Sequence, residues 1–205
     1  MILSFWGEFI SHLLDNDKFG GRLRRKRRKI MSLIFRDRLL GGNRTSVGDS
    51  QDVINELERS GERLNEIYSL FFDEDPVVVM RSSYVAMKYA EINPHSVAPF
   101  KQFLLENLNK FRQQELRWHI PQLFNYIVLS GDEVDKAYLT FMEWAEKDKS
   151  KIVAYYSLQT AANIIEQYPD LRKDFLPRLQ KLSMSNSKSV QNRCKKIAKQ
   201  LNIDL

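Results

Sequence analysis

The sequence predicts an all-α protein built as an α–α superhelix of about four helical hairpins. Three observations lead to this fold class. Glycine and proline are scarce, with eight and six residues in a chain of 205, whereas residues that favour helices, such as Leu, Lys, Glu, Gln and Ala, fill long segments. Within these segments, apolar residues recur at helical spacing. A stripe of apolar or small residues also returns at a nearly constant interval along the chain.

The repeat interval is 37 to 38 residues, measured between equivalent positions of the second helix in each predicted hairpin: Val78, Leu116, Val153 and Val190. The residues four, eight and eleven positions after each of these are also apolar or small. Offsets of 0, 4, 8 and 11 fall within an arc of about 80° on an α-helix. One hairpin cannot cover such a stripe alone, so the pattern predicts a stack of hairpins that bury one another's apolar faces.

Eight helices account for the pattern. The first helices of the hairpins are predicted at residues 51–71, 97–107, 132–147 and 171–183, and the second helices at residues 77–91, 114–129, 150–167 and 188–202. Two domains follow from this assignment. Residues 1–49 form an amphipathic and basic leader that ends in a Gly/Ser-rich linker, and residues 50–205 form the repeat domain.

The starts of the predicted second helices resemble those of HEAT repeats, which typically read D-x-P-x-V-R and continue with small residues. The matching stretches are 75–81, 116–119, 152–155 and 189–193. The arginine that usually follows the valine is present only as Arg117. The resemblance covers residues 50–205 and implies a right-handed superhelix whose second helices line the concave side. We therefore expect a non-catalytic scaffold or adaptor that binds another protein or a peptide.

The predicted binding surface is the face of the second helices that lies opposite the buried stripe. Residues two, six and nine positions after the start of each stripe lie on this face. Several are large aromatic, thioether or amide side chains, which suit a peptide or helix ligand. The alternative is that these side chains pack between adjacent second helices. The predicted partner-binding residues are Met80, Tyr84, Trp118, Gln122, Tyr155 and Gln159.

The leader carries most of the net charge of the chain. Residues 1–30 hold eight Lys/Arg against three Asp/Glu, which leaves a net charge of +1 for residues 31–205. Apolar residues at helical spacing between Ile2 and Leu14 precede the basic run. This arrangement fits attachment to an anionic membrane, nucleic-acid binding or nuclear import, or a start that is disordered or misassigned, with Met31 as the initiator. The basic residues are Arg22, Arg24, Arg25, Lys26, Arg27, Arg28 and Lys29.

A nucleic-acid-binding protein is the main alternative to a scaffold, and it would combine the basic leader with cations of the second helices. The chain resembles DNA alkylation repeat glycosylases in architecture, but the predicted binding face holds no carboxylate for base excision. The near-neutral charge of residues 31–205 also argues against a phosphate-binding groove. The candidate cations are Arg81, Lys88, Arg117, Arg193, Lys196 and Lys199.

No catalytic residue, metal, cofactor or small-molecule substrate is expected, because the three histidines are dispersed and no zinc-binding spacing or Gly-rich phosphate loop is present. His119 is expected to be a half-exposed helix residue. Cys194 falls in the apolar stripe, which predicts a buried thiol. A single cysteine and the lack of a long apolar run predict a cytoplasmic protein.

Overall fold

A computed structural model of the chain describes residues 34–204, and all the regular secondary structure in that part of the chain is helical. Helix α1 covers the described residues 34–39. The following helices are α2 (Ser50–Ser60), α3 (Leu64–Ser69), α4 (Pro76–Ile92), α5 (Lys101–Asn107), α6 (Gln114–Phe124), α7 (Asp132–Lys147), α8 (Lys151–Gln167), α9 (Arg172–Ser183) and α10 (Lys188–Leu201). Short 3-10 turns follow α3 (Leu70–Phe72), flank α5 (Pro94–Phe100 and Leu108–Lys110) and precede α9 (Pro169–Leu171).

The four predicted second helices, α4, α6, α8 and α10, lie side by side in chain order. The apolar stripe lies between them and the first helices: Val78, Leu116, Val153 and Val190 are each at most 3% exposed. The residues four, eight and eleven positions further on are all buried as well. The predicted repeat is therefore confirmed, and neighbouring hairpins supply the surface that covers each stripe.

The first predicted helix, residues 51–71, is divided in the structure. Gly61 has a left-handed φ of 63°, and its N–H donates to the carbonyl of Leu57 at 2.7 Å, which ends α2 in the manner of a glycine C-cap. Arg63, with a φ of 66°, then begins the turn into α3. Because of this break, α2 and α3 pack against α4 separately, and α2 adds a further helix beside the row of second helices.

The end of α6 also differs from the sequence prediction. This second helix of the second hairpin ends at Phe124, whereas the prediction placed its end at residue 129. Asn125, Tyr126 and Ile127 continue the chain in turns whose N–H groups bond to carbonyls three residues back. Ile127 is still buried at 6% exposure. The apolar stripe therefore continues beyond the last residue of α6. Because the prediction relied on apolar spacing, it placed the end of this helix too late.

Charged side chains connect consecutive hairpins. Nη1 of Arg117, on α6, lies 2.6 Å from Oδ2 of Asp148 in the turn before α8, and its guanidinium lies 4.4 Å from the centre of the Trp144 ring. Further along the chain, Arg178 of α9 donates two hydrogen bonds, of 2.7 and 2.9 Å, to Glu146 of α7. These partly buried pairs join hairpins that are adjacent in the stack.

The thiol of Cys194 is expected to be unreactive in the folded protein. Cys194 is fully buried, as its place in the stripe predicted, and burial raises its pKa to about 11. A thiol with this pKa is almost entirely protonated at pH 8, so its reaction with a disulfide reagent should be at least about a hundredfold slower than that of an exposed cysteine. Reaction kinetics with and without denaturant measure this difference, and a fast reaction in the native state would contradict the burial of α10.

Candidate functional site

An open groove lies on the layer of second helices, between α4, α6 and α8. Its volume is about 610 Å³, and residues 44–47, from the segment before α2, form part of its wall. Helix α4 contributes Met80, Tyr84, Met87, Lys88 and Glu91, helix α6 contributes Glu115, Trp118, His119 and Gln122, and helix α8 contributes Ile152 and Tyr156. Each contributing helix is a second helix of its hairpin.

Four of the six predicted partner-binding residues meet at this groove: Met80, Tyr84, Trp118 and Gln122. Tyr84, Trp118 and Gln122 are partly exposed, whereas Met80 is only 4% exposed. Met80 therefore packs between adjacent helices, which was the alternative given in the sequence analysis for these side chains. The aromatic pair and the Gln122 amide remain accessible to a ligand.

The other two predicted residues, Tyr155 and Gln159, contact α10 instead. The guanidinium of Arg193 lies 3.7 Å from the centre of the Tyr155 ring, and its Nη1 donates to Oε1 of Gln159 at 2.6 Å. Nε2 of Gln159 donates in turn to Gln200 at 3.0 Å. The structure does not bring these two residues to the groove, and their side chains hold α8 against α10.

The difference arises because each second helix turns one side toward the preceding helix and another toward the following one. The groove is centred on α6. Helix α4 therefore lines it with the side that faces the following second helix, and α8 lines it with the side that faces the preceding one. On α8, Ile152 and Tyr156 lie on the side that faces α6, whereas Tyr155 lies on the side that faces α10. The sequence analysis used the same angular range on every second helix to predict the binding face, and a single range cannot include both sides.

A row that the sequence analysis missed lies three positions after the start of each stripe. Its members are all large: Arg81, His119, Tyr156 and Arg193. Arg81, His119 and Arg193 each bond to the structural unit that precedes their own helix. This recurrence of large side chains was visible in the sequence, and it would have indicated contacts between neighbouring units.

Arg81 holds the wall of the groove in place. It is only 3% exposed, and its Nε and Nη1 donate hydrogen bonds of 2.9 Å to the carbonyls of Ser46 and Leu39. Gly48, with a φ of 49°, allows the segment to pass this side chain, because a Cβ there would lie 2.6 Å from the guanidinium. Residues 41–48, which the sequence predicted to be a linker, are therefore fastened to α4.

His119 is buried, at 4% exposure, so the expectation of a half-exposed residue was wrong. The ring packs between helices because α4 supplies a partner: Nδ1 lies 2.8 Å from Oγ of Ser83. The Ser83 hydroxyl donates its proton to the carbonyl of Met80, so it accepts from Nδ1–H. Burial, aided by the charge of Lys88, lowers the pKa of His119 to about 3. The ring is therefore neutral and carries its proton on Nδ1.

The family of the chain follows from a comparison with protein-family models. Residues 35–201 match the HEAT repeat domain. The chain is a HEAT-repeat protein. HEAT repeats generally act as protein-interaction scaffolds, and the family is generally non-catalytic. No curated protein and no solved structure gives a significant match to the chain.

The HEAT domain match begins at residue 35 and so includes α1 and the segment before α2, which the sequence analysis placed in the leader and linker. Phe35 and Leu39 of α1 are fully buried, and Arg36 donates to Asp73 at 2.7 Å. The domain boundary at residue 50 stays a prediction. The observed contacts nevertheless join α1 to the hairpin that contains α4.

Charges around the groove of this HEAT-repeat protein are paired with one another. Nζ of Lys88 lies 2.8 Å from Oε2 of Glu91 at one side. At the other, Nη1 of Arg44 lies 3.6 Å from Oε1 of Glu115, which connects the wall segment to α6. Two cations and two carboxylates line the groove, so its formal charge is zero and its accessible centre is aromatic.

Most cations proposed for nucleic-acid binding by the HEAT domain have partners within the fold. Arg81 and Arg117 are bound as described above, Lys88 is paired with Glu91, and Arg193 lies on Tyr155. Lys196 and Lys199 remain exposed on α10. The basic run Arg22–Lys29 and the apolar start of the leader lie outside the described residues. Among residues 34–204 no cluster has the composition of a metal site, and no helix is long and apolar enough to cross a membrane.

Substitution of Arg81 by methionine should release the wall of the groove. Loss of the charged hydrogen bonds to Ser46 and Leu39 should lower the free energy of unfolding by about 2 to 4 kcal/mol, and trypsin should cleave after Arg44 faster than in the wild type. Denaturant unfolding and limited proteolysis measure the two effects. Arg59→Met, at an exposed position of α2, is the control, and equal cleavage after Arg44 in all three proteins would show that Arg81 does not hold the segment.

His119 should make the fold sensitive to acid. Its pKa is about 3 in the folded protein and 6.5 ordinarily, so below pH 6.5 the unfolded chain takes up a proton that the folded chain does not. Stability should therefore fall as the pH falls from 6.5 toward 3, with a loss of about 2 kcal/mol between pH 7 and pH 5 from this residue alone.

The matched variant is His119→Asn, which keeps a donor near Oγ of Ser83 and cannot titrate in this range. The free energy of unfolding of both proteins is measured in urea at pH 7 and pH 5. The decrease should be smaller in the variant by the amount that His119 contributes. Equal decreases in the two proteins would mean that the ring is accessible to protons in the native state.

Proposed function

We propose that the protein is a non-catalytic scaffold that binds a peptide or a helix of a partner protein in the groove between α4, α6 and α8. The observation that supports this most directly is the composition of the groove. Accessible aromatic side chains, Tyr84, Trp118 and Tyr156, lie among charges that already have partners. Such a surface favours a ligand with apolar side chains over a highly charged one.

The geometry revises the set of residues through which the partner would bind. Tyr84, Trp118 and Gln122 remain from the sequence prediction, and Tyr156 and Ile152 join them from α8. Ile152 is 47% exposed and lies in the groove together with Trp118, so the two form a shared apolar surface. An apolar side chain of the partner that covers Ile152 and the Trp118 ring would remove both from water and contribute most of the binding energy.

His119 adds a polar feature to the aromatic floor of the groove. Its Nδ1–H is used by Ser83, so Nε2 carries the free lone pair, and it makes no hydrogen bond to any other described residue. Nε2 therefore suits a donor from the partner, such as an indole N–H, a hydroxyl or an amide. A hydrogen bond there would fix the position of the ligand along the groove.

The number and burial of the cysteines bear on the cellular compartment in which this scaffold would act. The chain has a single cysteine, Cys194, and its thiol is fully buried. No disulfide within the chain can therefore form, which suits a reducing compartment. We propose the cytoplasm on this basis.

Peptides selected for binding to the full chain test the proposal. A phage-displayed library of random 12-residue peptides is selected on the wild-type protein, and selected peptides are then titrated against Tyr84→Ala/Trp118→Ala. Loss of two aromatic contacts of at least about 1 kcal/mol each should weaken binding about thirtyfold or more. The peptides should contain large apolar residues together with a hydrogen-bond donor.

The matched control is Phe72→Ala, which removes a half-exposed aromatic side chain from the region of the first helices. Its peptide affinity should equal that of the wild type, and thermal unfolding checks that all variants fold. Selected peptides that bind the double variant and the wild type equally would contradict the groove as the binding site. A selection without any specific peptide would contradict peptide recognition itself.

A further inference from the structure

The charge of the HEAT domain is near neutral in sum but strongly divided along the stack. Residues 31–171 contain 15 Lys/Arg and 21 Asp/Glu, whereas residues 172–205 contain nine Lys/Arg and two Asp/Glu. The two parts therefore carry formal charges of −6 and +7. The sequence analysis used only their sum. Because the hairpins stack in chain order, the positive charge is concentrated on the last hairpin, α9 and α10.

Seven of the nine cations in this hairpin are exposed and make no ion pair within residues 34–204. Arg178 is bound to Glu146 and Asp174, and Arg193 is bound to Gln159. The unpaired cations are Arg172, Lys173, Lys181, Lys188, Lys195, Lys196 and Lys199. These side chains are available to a ligand and repel one another in its absence.

Three lysines of α10 lie along one side of the helix. Lys188, Lys195 and Lys199 fall within about 40° of each other when viewed down the helix axis, and they extend over roughly 16 Å. Asn192 lies on the same side, and Lys196 is about 60° away. In α4, α6 and α8 the corresponding side faces the next helix, with Met87 and Ala162 buried there. In α10 it faces solvent.

Exposure to solvent explains why this side of α10 is polar. It does not explain why the charges share one sign. Helix electrostatics explain only Lys181 and Lys199, which lie in the last turns of α9 and α10, where the helix dipole favours cations. Lys188 lies in the first turn of α10, and Arg172 and Lys173 lie in the first turn of α9, where the helix dipole disfavours cations. These positions cost stability in the absence of an anion.

We propose that the exposed side of α10 binds the phosphate backbone of a nucleic acid, without reading the base sequence. A row of lysines about 16 Å long faces several successive phosphates, since one strand of a duplex carries a phosphate for about every 3.4 Å of helix axis. Lys196 and the polar side chain of Asn192 supply further contacts. This surface shares no residue with the groove, so the inference does not depend on the proposed scaffold function.

Two other anionic partners fit the surface less well. Membrane-binding helices insert apolar side chains into the lipid, but the apolar residues of α10, Val190, Cys194, Ile197, Ala198 and Leu201, are at most 6% exposed. The centres of protein interfaces are enriched in aromatic residues and depleted in lysine. The exposed side of α10 has the opposite composition, with lysine and asparagine and no aromatic residue.

The experiment measures the affinity of the full chain for a fluorescein-labelled 20-base-pair DNA duplex by anisotropy, as a function of salt concentration. The variant Lys188→Gln/Lys195→Gln/Lys199→Gln removes the lysine row. Each phosphate contact contributes about 0.9 to the slope of log affinity against log salt. The slope should therefore fall by about 2 to 3, and affinity at low salt should fall at least about tenfold.

The matched control is Lys110→Gln/Lys136→Gln/Lys149→Gln, which removes three exposed lysines from the acidic part of the domain and lowers the net charge equally. It should leave the slope nearly unchanged. Both variants keep the basic run of the leader, so any binding by the leader is common to all three proteins, and circular dichroism confirms that each is folded.

Three results would overturn the inference. Equal losses in the two variants would assign the binding to net charge, and unchanged DNA binding in the α10 variant would assign it to another part of the chain. Sedimentation with vesicles of phosphatidylserine and phosphatidylcholine tests the lipid alternative. If the α10 variant lost vesicle binding and kept DNA binding, the surface would be a membrane contact. None of these results tests the proposed binding of a peptide in the groove.

Discussion

The apolar side of every second helix needs a neighbour to cover it, and the rest of the structure depends on that requirement. The stripe contains small residues at Ser82, Ser157 and Cys194 and a large one, Ile120, at the equivalent position of α6, and all four are buried. Other large residues lie on the sides of the second helices, where they contact the adjacent units. The groove lies where such residues from α4, α6 and α8 converge and no further helix of residues 34–204 covers them.

The positions of the hairpins were predictable because the same stripe recurs four times, and the bounds of α7, Asp132–Lys147, agree with the sequence assignment. The interruption at Gly61 was not predicted, since apolar spacing continues across it while the backbone turns left-handed. The wall formed by residues 44–47 was also missed. Its composition is that of a flexible linker, whereas the hydrogen bond from Arg81 to the Ser46 carbonyl and the ion pair of Arg44 with Glu115 join it to the second helices.

About half of the candidate site was predictable. Tyr84, Trp118 and Gln122 follow from helix geometry, because α6 lies in the middle of the groove and presents the side opposite its stripe. Tyr155, predicted to bind a partner, lies outside the groove because neighbouring positions on α8 face different helices, and a periodic pattern does not contain the rotation of one unit relative to the next. The tautomer of His119 depends on Ser83, 36 residues earlier, and required the three-dimensional contact.

The separation of the aromatic groove from the lysines of α10 has a consequence for how the molecule would work. The acidic part of the domain, which contains the groove, would be repelled by the polyanion that attracts the last hairpin. The chain would then dock by one end and leave the groove pointing away, free for a second ligand. Two ligands held on one stack of helices behave as tethered species, and the effective concentration of each near the other is set by the distance between the two binding surfaces.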